Sequence, residues 1–395
     1  MSFITIGTQS ELANFCERLR SAEYIAFDTE FVSEHSYRTQ LCLVQVAIPG
    51  LTAVIDPLSI DDMRPFWDAV VAPGHQTIVH AGREEIVFSL AATGRPPHNL
   101  IDVQLAAGLM GVEFPAGYGT LASRLLGKRI NKAETRTDWR RRPLTAQQVA
   151  YALSDVEHLA ALRDLILGKL ESLGRLDWLH TETASWLAEI EASRGKERWR
   201  RVSGSSGLSR RRLAIVREIW RWREEEAERR DCPARRVLRD DLIVELAKRE
   251  LADPNKIRAV RGLERGDLKY ALPKLTACIE RALHLPESDC PEIVRTETNP
   301  QQTMVTQLLS SALGSICRQA QVAPSLVGTA NDVRDLVSFH LGDLGESAEP
   351  PLLTQGWRAG VVGEVLKDLL LGRTTLHIVD PRAEQPLAFE PRKTS

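Results

Sequence analysis

The chain has 395 residues, of which 43% are hydrophobic and 26% are charged, and its formal net charge is −2; these values are typical of a soluble globular protein with two or three domains. No apolar run approaches the roughly 20 residues that a membrane-spanning helix needs. The six cysteines and nine histidines lack the spacing of zinc ligands, so a structural zinc site is not expected.

The beginning of the chain, "MSFITIGTQSELANF", has neither a basic segment nor a long apolar core, so we expect no signal peptide. The cysteines form no C-x-x-C pair and favour reduced thiols. We therefore expect a cytoplasmic protein with no membrane partner. The sequence shows no sign of an obligate protein partner, and we expect a monomer.

The first predicted elements are three apolar segments, "YIAFDTEF", "LCLVQVAI" and "TAVIDP". Short polar, Gly or Pro turns join them, which predicts an antiparallel meander over residues 23–57. "QTIVHA" predicts a fourth strand, and the helical pattern "REEIVFSLAATG" follows it and ends at a glycine. Strands that first form hairpins and then alternate with helices indicate a mixed sheet flanked by helices.

The first of these strands contains two carboxylates, Asp28 and Glu30, in an otherwise apolar segment. Alternate side chains of a strand share a face, so these two lie side by side. Neighbouring like charges oppose each other's ionisation, and a metal ion between them is the simplest compensation. The alternative is that both line the wet face of an edge strand.

A long helix is predicted from "LTAQQVAYALSDVEHLAALRDLILGKLESLG". Thr145 and Gln148 form a capping-box pattern, and apolar residues recur at helical spacing. Tyr151 and Asp155 are four residues apart and therefore share one face of this helix.

The segment "RRVSGSSGLSRRR" is rich in Ser and Gly and predicts a domain boundary near residues 202–208. Every long apolar pattern after it is helical. From Arg194 to Asp240 there are 16 Lys and Arg against 8 Asp and Glu, an excess that suits a phosphate backbone. The pair Glu225 and Arg229 fits a solvated helix equally well.

Three motifs, "FDTEF", "HAGREE" and "YALSD", resemble those of the DEDD superfamily of exonucleases, and the Tyr four residues before the last Asp matches its DEDDy branch. The chain is more closely similar to the ribonuclease D family. The segments "AFDTEF", "LCLVQVA", "VHAG", "TRTDW", "RPLT" and "YALSDVEHL" occur in that family's order. The resemblance is good over about residues 20–285.

This resemblance implies an α/β ribonuclease-H-like exonuclease domain with a mixed sheet flanked by helices. The implied catalytic residues are Asp28, Glu30, Glu85, Tyr151 and Asp155. The four carboxylates would bind two divalent metal ions, Mg²⁺ or Mn²⁺, and the tyrosine would orient or help deprotonate the attacking water. Two cations can activate the nucleophile and neutralise the leaving oxygen of a phosphodiester, and hard oxygen ligands suit Mg²⁺ or Mn²⁺.

Glu85 departs from the family pattern, which has Asp at this position. Its side chain is longer by about 1.5 Å, and a misplacement near 1 Å can reduce a rate about a hundredfold. We predict an active enzyme with Glu85 as the fourth ligand. There are two alternatives to this prediction: Glu84 is the ligand instead, or the site has decayed and the protein only binds RNA. Asp102 also matches a family position, although it is equally suited to cap the following helix.

Four further residues are candidates for contact with nucleic acid, namely Phe31, His80, Arg136 and Trp139. Phe31 would stack on the terminal base, while Arg136 and Trp139 would meet the backbone, with Arg140 to Arg142 adding positive charge. The alternatives are core positions for Phe31 and His80 and a solvated loop for the others.

The segments from "LSRRRLAIVREIW" to "IRAVRGL" resemble the HRDC domain, a helical module of RecQ-like helicases and ribonuclease D, and "TQGWRAGVVGEVLKDLL" resembles the end of a second such unit. The implied organisation has an exonuclease domain followed by two all-α HRDC-type domains. The expected boundaries are residues 1–200 for the exonuclease domain, 201–208 for a Ser/Gly linker, 209–290 for the HRDC domain, 300–380 for the second HRDC-like domain and 381–395 for a disordered tail.

By this resemblance the protein is a metal-dependent 3′-5′ exoribonuclease that acts on RNA with a free 3′ end. The implied substrates are tRNA precursors and other small structured RNAs, and the products are nucleoside 5′-monophosphates. A 3′-5′ DNA exonuclease is the alternative, which is weakened because no polymerase or helicase unit and no Gly-rich phosphate loop accompanies the nuclease.

Overall fold

The structure, a computed structural model, describes residues 3–130, 137–263, 270–293, 300–342 and 349–392. The first elements are β1 (Phe3–Ile6), α1 (Gln9–Arg20), β2 (Tyr24–Val32), β3 (Gln40–Ile48) and β4 (Leu51–Ile55). β2 pairs antiparallel with β3, and β3 pairs antiparallel with β4, which confirms the predicted meander. The four-residue β1 was not predicted, because its short segment has too few residues to show an alternating pattern; it pairs parallel with β4 at the sheet edge.

The elements that follow are α2 (Arg64–Val70), β5 (Gln76–Val79), α3 (Arg83–Thr93) and β6 (Leu100–Asp102). α3 ends at Gly94, which has a left-handed backbone conformation, as its sequence predicts. The six strands form one sheet in the order β1-β4-β3-β2-β5-β6, and β2, β5 and β6 run parallel. The predicted mixed sheet is therefore confirmed.

Five helices complete this domain: α4 (Val103–Leu109), α5 (Tyr118–Leu126), α6 (Ala146–Glu157), α7 (Leu159–Ser172) and α8 (Leu176–Ser193). α6 begins with the predicted capping box of Thr145 and Gln148. The prediction of a single long helix is wrong, because α6 ends at Glu157 and α7 begins at Leu159. Between them, the backbone N–H of His158 donates to the Tyr118 hydroxyl over 3.2 Å.

The next unit contains α9 (Arg210–Arg229), α10 (Ala234–Val237), α11 (Asp240–Arg249), α12 (Pro254–Arg258) and α13 (Leu272–His284). It has an apolar core of its own. Val202 and Leu208, from the segment expected to be a linker, are 4% and 6% exposed and belong to this core. The segment is therefore packed against the helices that follow it.

The last unit contains α14 (Pro300–Gln319), α15 (Pro324–Val327), α16 (Ala330–Leu341), α17 (Gly356–Arg358), α18 (Glu364–Leu370), β7 (Thr374–Ile378) and β8 (Leu387–Pro391). The expectation of a disordered tail from residue 381 is wrong for β8, which pairs antiparallel with β7. Phe389, on β8, packs against the core that the last unit shares with α4 and α7. Among the helices of the described residues, none is long and apolar enough to cross a membrane.

Candidate active site

Asp28 and Glu30 lie on the same face of β2, as strand alternation predicts. Asp28 is paired in register with Gln45 on β3. The Gln45 Nε2 donates to Asp28 Oδ2 over 2.9 Å and fixes the direction of that carboxyl. The pairing register shifts directly after Glu30, and such a bulge bends the strand next to the carboxylates.

Helix α6 brings Asp155 to these two residues. The carboxyl groups of Asp28, Glu30 and Asp155 each offer a ligand atom, and the three atoms lie within 4.8 Å of one another. The three residues are half-buried. The carboxylates predicted from two distant motifs therefore meet at one place, to which we refer as the three-carboxylate cluster.

Burial dominates the electrostatics of the cluster. It raises the pKa of Glu30 to about 8, with further contributions from Asp155 and Glu85. Burial also raises the pKa of Asp155 to about 6, and it raises the pKa of Asp28 well above the ordinary value, with the neighbouring acids adding to the effect. Among the ion pairs of the described residues, none involves the cluster. The cluster is thus a concentration of acidic oxygens without a protein cation.

Glu85 is not among the three residues whose ligand atoms lie within 4.8 Å of one another, and its role as the fourth metal ligand stays a prediction. It is 4% exposed in the first turn of α3, and the Thr29 hydroxyl donates to its Oε1 over 2.5 Å. Thr29 projects from the opposite face of β2 to its two acidic neighbours, and the longer Glu side chain reaches that hydroxyl. Glu84, the alternative ligand, also lies outside the group of potential ligands among the described residues.

Glu85 nevertheless remains close enough to influence the acids. Its charge contributes to the raised pKa values of Asp28 and Glu30. Burial raises the pKa of Glu85 itself to about 7, against the hydrogen bond from Thr29, which lowers it.

Tyr151 lies one helical turn before Asp155 on the same face of α6. Its pKa is raised by burial first and then by the charges of Asp155, Glu30 and Asp28. Its ring packs on Trp139, with the centroids 6.1 Å apart. The tyrosine therefore keeps its proton at neutral pH when no cation is bound.

The residues predicted to contact nucleic acid differ from one another in their surroundings. Phe31 lines a groove of about 410 Å³ that begins at Glu30, and its ring packs edge-on against Phe88. Trp139 also lines this groove, but it is only 4% exposed and its ring packs on Tyr151, so its contact with the substrate stays a prediction. Arg136 lies outside the described residues.

His80 is half-buried, and its Nε2 is 2.8 Å from the Ala116 carbonyl oxygen. Its ring also packs edge-on against Tyr118. These contacts match the alternative of a hydrogen-bonded core histidine. Asp102 likewise has the structural role, because its carboxyl accepts from the backbone of Gln104 and Leu105 at the start of α4 and from Gly82.

The arginines that precede α6 are mostly engaged within the protein. Arg140 forms an ion pair with Asp138 at 2.9 Å. Arg142 holds Asp56 through two nitrogens at 2.5 and 2.6 Å and donates to the Cys42 and Trp139 carbonyls. Arg141 is 4.0 Å from Asp138 and has 85% of its side chain exposed, so among Arg140 to Arg142 it is the most accessible to a phosphate chain.

The sequence interpretation missed two residues next to the cluster, Gln45 and Thr29. Gln45 is a fully buried polar side chain in the apolar segment "LCLVQVAI", and that isolated polar residue was the available signal. No sequence signal distinguishes Thr29, because its partner Glu85 is 56 residues away.

The donors in the cluster fit a divalent metal ion. Three half-buried acidic groups without a counter-charge repel one another, and carboxylate oxygens are the ligands that Mg²⁺ and Mn²⁺ prefer. A sheet strand and a packed helix hold these donors.

Comparison with known families supports this interpretation. The family of 3′-5′ exonucleases matches residues 3–171, and the HRDC domain family matches residues 212–279. The fold and the cluster thus define a 3′-5′ exonuclease with an HRDC domain, an enzyme class that depends on divalent metal ions.

Proteins with similar sequences and structures identify the family to which the chain belongs. The ribonuclease D of Gluconacetobacter diazotrophicus is 33% identical over 391 residues, covering 97% of this chain and 96% of that protein. The ribonuclease D of Granulibacter bethesdensis is 35% identical and covers 91% of both chains. The crystal structure of Escherichia coli RNase D, described as an exoribonuclease involved in structured RNA processing, has a TM-score of 0.81 and 28% identity over 94% of this chain and 99% of its own. The chain belongs to the ribonuclease D family, and it is a 3′-5′ exoribonuclease whose substrate is nucleic acid.

Proposed function

We propose that this exoribonuclease trims the 3′ ends of tRNA precursors and other small structured RNAs and releases nucleoside 5′-monophosphates. The observation that carries the proposal is the meeting of Asp28, Glu30 and Asp155 within 4.8 Å. We further propose that these residues, together with Glu85, hold two divalent ions, Mg²⁺ or Mn²⁺. Bound ions would neutralise the phosphate and lower the barrier to attack by water.

The protein's own residues have distinct parts in this proposal. Asp28, Glu30 and Asp155 bind the cations. Gln45 keeps the Asp28 carboxyl in its direction through its 2.9 Å hydrogen bond. Tyr151 holds a proton near Asp155 and orients the attacking water, since it lies one helical turn away on the same face of α6.

The groove that begins at Glu30 offers a route for the terminal nucleotide. It continues along Phe31 to His35 and is bounded on the other side by residues 137–140. Phe31 is half-buried, and the exposed part of its ring is available for stacking on a base. Beyond the groove, Nη2 of Arg236 in the HRDC domain is 3.3 Å from Nδ1 of His35. We propose that the RNA strand leaves the groove across this domain.

We also propose the domain boundaries expected from the sequence, at residues 1–200, 209–290 and 300–380, with the last unit as a second HRDC-like domain. The helical composition of α14 to α18 supports this assignment. A monomeric enzyme in the cytoplasm remains a prediction.

The test is a time course with a tRNA-like RNA that has a 3′ tail and a 5′ label, in Mg²⁺, Mn²⁺ or EDTA. We expect a ladder that shortens from the 3′ end, and we expect Asp28→Ala and EDTA to abolish it. Release of nucleoside 5′-monophosphates is measured by chromatography. An equally fast ladder from a single-stranded DNA of the same length would contradict RNA as the preferred substrate.

One observation favours a second candidate, an RNA-binding protein with an impaired site. Glu85 is hydrogen-bonded to Thr29 and lies outside the cluster. If the wild type binds the RNA without shortening it and Glu85→Asp restores the ladder, the second candidate is correct.

A further inference from the structure

The contact between Thr29 and Glu85 separates one acidic side chain from the other three. Thr29 stands between Asp28 and Glu30 in the chain but points to the opposite face of β2. Its hydroxyl donates to Glu85 Oε1 over 2.5 Å, and the two residues are 5% and 4% exposed. The side chain that departs from the family pattern therefore has a specific, buried partner.

This hydrogen bond opposes any movement of Glu85 toward the cluster. A bond from a hydroxyl to a carboxylate at this distance is of the strong, charge-assisted kind. Because both groups are buried, water does not replace the partner that either group would lose. Glu85 joins the other acids only if the gain from a bound cation exceeds the loss of this bond.

We propose that Thr29 is a positioning residue that withholds Glu85 from the three-carboxylate cluster, so that the site binds one divalent cation readily and a second only when the Thr29–Glu85 bond breaks. The inference rests on the proposed function, since it assumes that the cluster binds divalent cations. Glu85 is then a conditional ligand of the second cation.

Binding of Mn²⁺ measured through the electron paramagnetic resonance of the free ion tests this proposal without catalysis. For the wild type we expect one bound ion and a second that binds at least about tenfold more weakly. Thr29→Val removes the hydroxyl but keeps the shape of the side chain, and it should strengthen the second binding step about tenfold. Thr29→Ser keeps the hydroxyl and should bind like the wild type, and Glu85→Gln should weaken the second step.

Thr77→Val is the matched control, because Thr77 is a fully buried threonine on β5 whose hydroxyl is 3.1 Å from His75 Nε2. It should leave both binding steps unchanged. Equal affinity for two ions in the wild type, or an unchanged second step in Thr29→Val, would overturn the proposal. If the wild type bound no Mn²⁺, the proposed metal site would fail as well; if it bound Mn²⁺ normally but Thr29 had no effect, only the inference about Thr29 would fail.

Crystals of the wild type soaked at low and high Mn²⁺ concentrations give a second measurement that does not depend on the stability of any variant. At low concentration we expect one ion at the cluster and Glu85 still bonded to Thr29. At high concentration we expect a second ion and a Glu85 side chain that has left Thr29. Glu85 bound to an ion at the low concentration would contradict the proposal.

Discussion

At the scale of single residues, the acidic groups around β2 combine burial with mutual repulsion. Burial is the largest cause of the raised pKa values of Asp28, Glu30 and Asp155. Such perturbed groups in a cleft are typical of functional sites. We expect this arrangement to lower the stability of the cation-free protein and to favour binding of a cation.

Asp28→Asn should separate these two effects. We expect it to reduce RNA cleavage by more than about a hundredfold, since loss of even an outer-shell partner can cost 10- to 100-fold in metal affinity or activity. The thermal midpoint in EDTA should be unchanged or higher, because one repelling charge is removed, and stabilisation by Mg²⁺ should disappear. Asp61→Asn, at an exposed loop position, is the control. A variant that Mg²⁺ still stabilises would contradict the role of Asp28.

The stability of the cation-free protein should fall as the pH rises. The pKa values of Glu30, Glu85 and Asp155 are about 8, 7 and 6, above the roughly 4 of exposed carboxyls. The folded state therefore binds more protons than the unfolded state between about pH 4 and pH 8, and the free energy of unfolding decreases through that window.

Thermal unfolding in EDTA at a series of pH values measures this decrease. Saturating Mg²⁺ should remove most of it, because the cation replaces the protons. Glu30→Gln should reduce the slope in EDTA. A midpoint that instead rises between about pH 6 and pH 8, with no difference between wild type and Glu30→Gln, would show that these acids are not buried together.

At the scale of elements, the site depends on the junction that fixes α6 against the sheet. Arg142 joins the loop before α6 to Asp56, which follows β4, and to the Cys42 carbonyl on β3. Its side chain is 26% exposed and that of Asp56 is 16% exposed. The guanidinium therefore connects the helix that contains Tyr151 and Asp155 to the strands beside Asp28.

Arg142→Lys should weaken this junction, because an ammonium group cannot reproduce the forked contacts of the guanidinium. We expect a loss of roughly 1–3 kcal/mol of stability and a fall in the cleavage rate of about tenfold or more from the displaced helix. Arg141→Lys, at a neighbouring exposed residue, should have neither effect. Chemical denaturation and single-turnover cleavage measure the two quantities, and a wild-type rate in Arg142→Lys would exclude this role.

At the scale of the whole molecule, the last helical unit is joined to the exonuclease domain by buried polar and aromatic contacts. Arg358 forms two hydrogen bonds with Glu182 on α8, at 2.6 and 2.7 Å, and both side chains are about 90% buried. Trp357 donates to the same Glu182 and stacks on Trp178, with the ring centroids 4.7 Å apart. The apolar core extends across this boundary, from α4 and α7 to α14 and α16. The HRDC domain, in contrast, has a separate core.

Glu182→Gln should release this unit partially, because it leaves Arg358 buried without its counter-charge. Breaking such a pair typically costs about 3–5 kcal/mol. Limited proteolysis should then produce a fragment that lacks the residues from α14 onward, while Glu191→Gln, on the exposed side of α8, should be cleaved like the wild type. Adding Arg358→Met to Glu182→Gln should recover part of the stability, since an apolar side chain needs no partner. Resistance to proteolysis in Glu182→Gln would contradict the role of this ion pair.

Elements with local signals could be predicted from the amino-acid sequence. The alternation around Asp28 and Glu30 and the capping box at Thr145 required no knowledge of distant residues, and β2 to β5, the start of α6 and the mixed sheet were predicted correctly. The motif order also indicated the family.

Features that depend on partners far apart in the chain could not be predicted from the sequence, because they form only when the elements pack together. At the helix break, the backbone N–H of His158 donates to the Tyr118 hydroxyl, 40 residues away, and β8 pairs with β7. The carboxylate of Glu85 accepts a hydrogen bond from the Thr29 hydroxyl, 56 residues away in the chain. A sequence pattern specifies which face of a strand or helix a side chain occupies, but the partner that it meets there depends on how the elements pack.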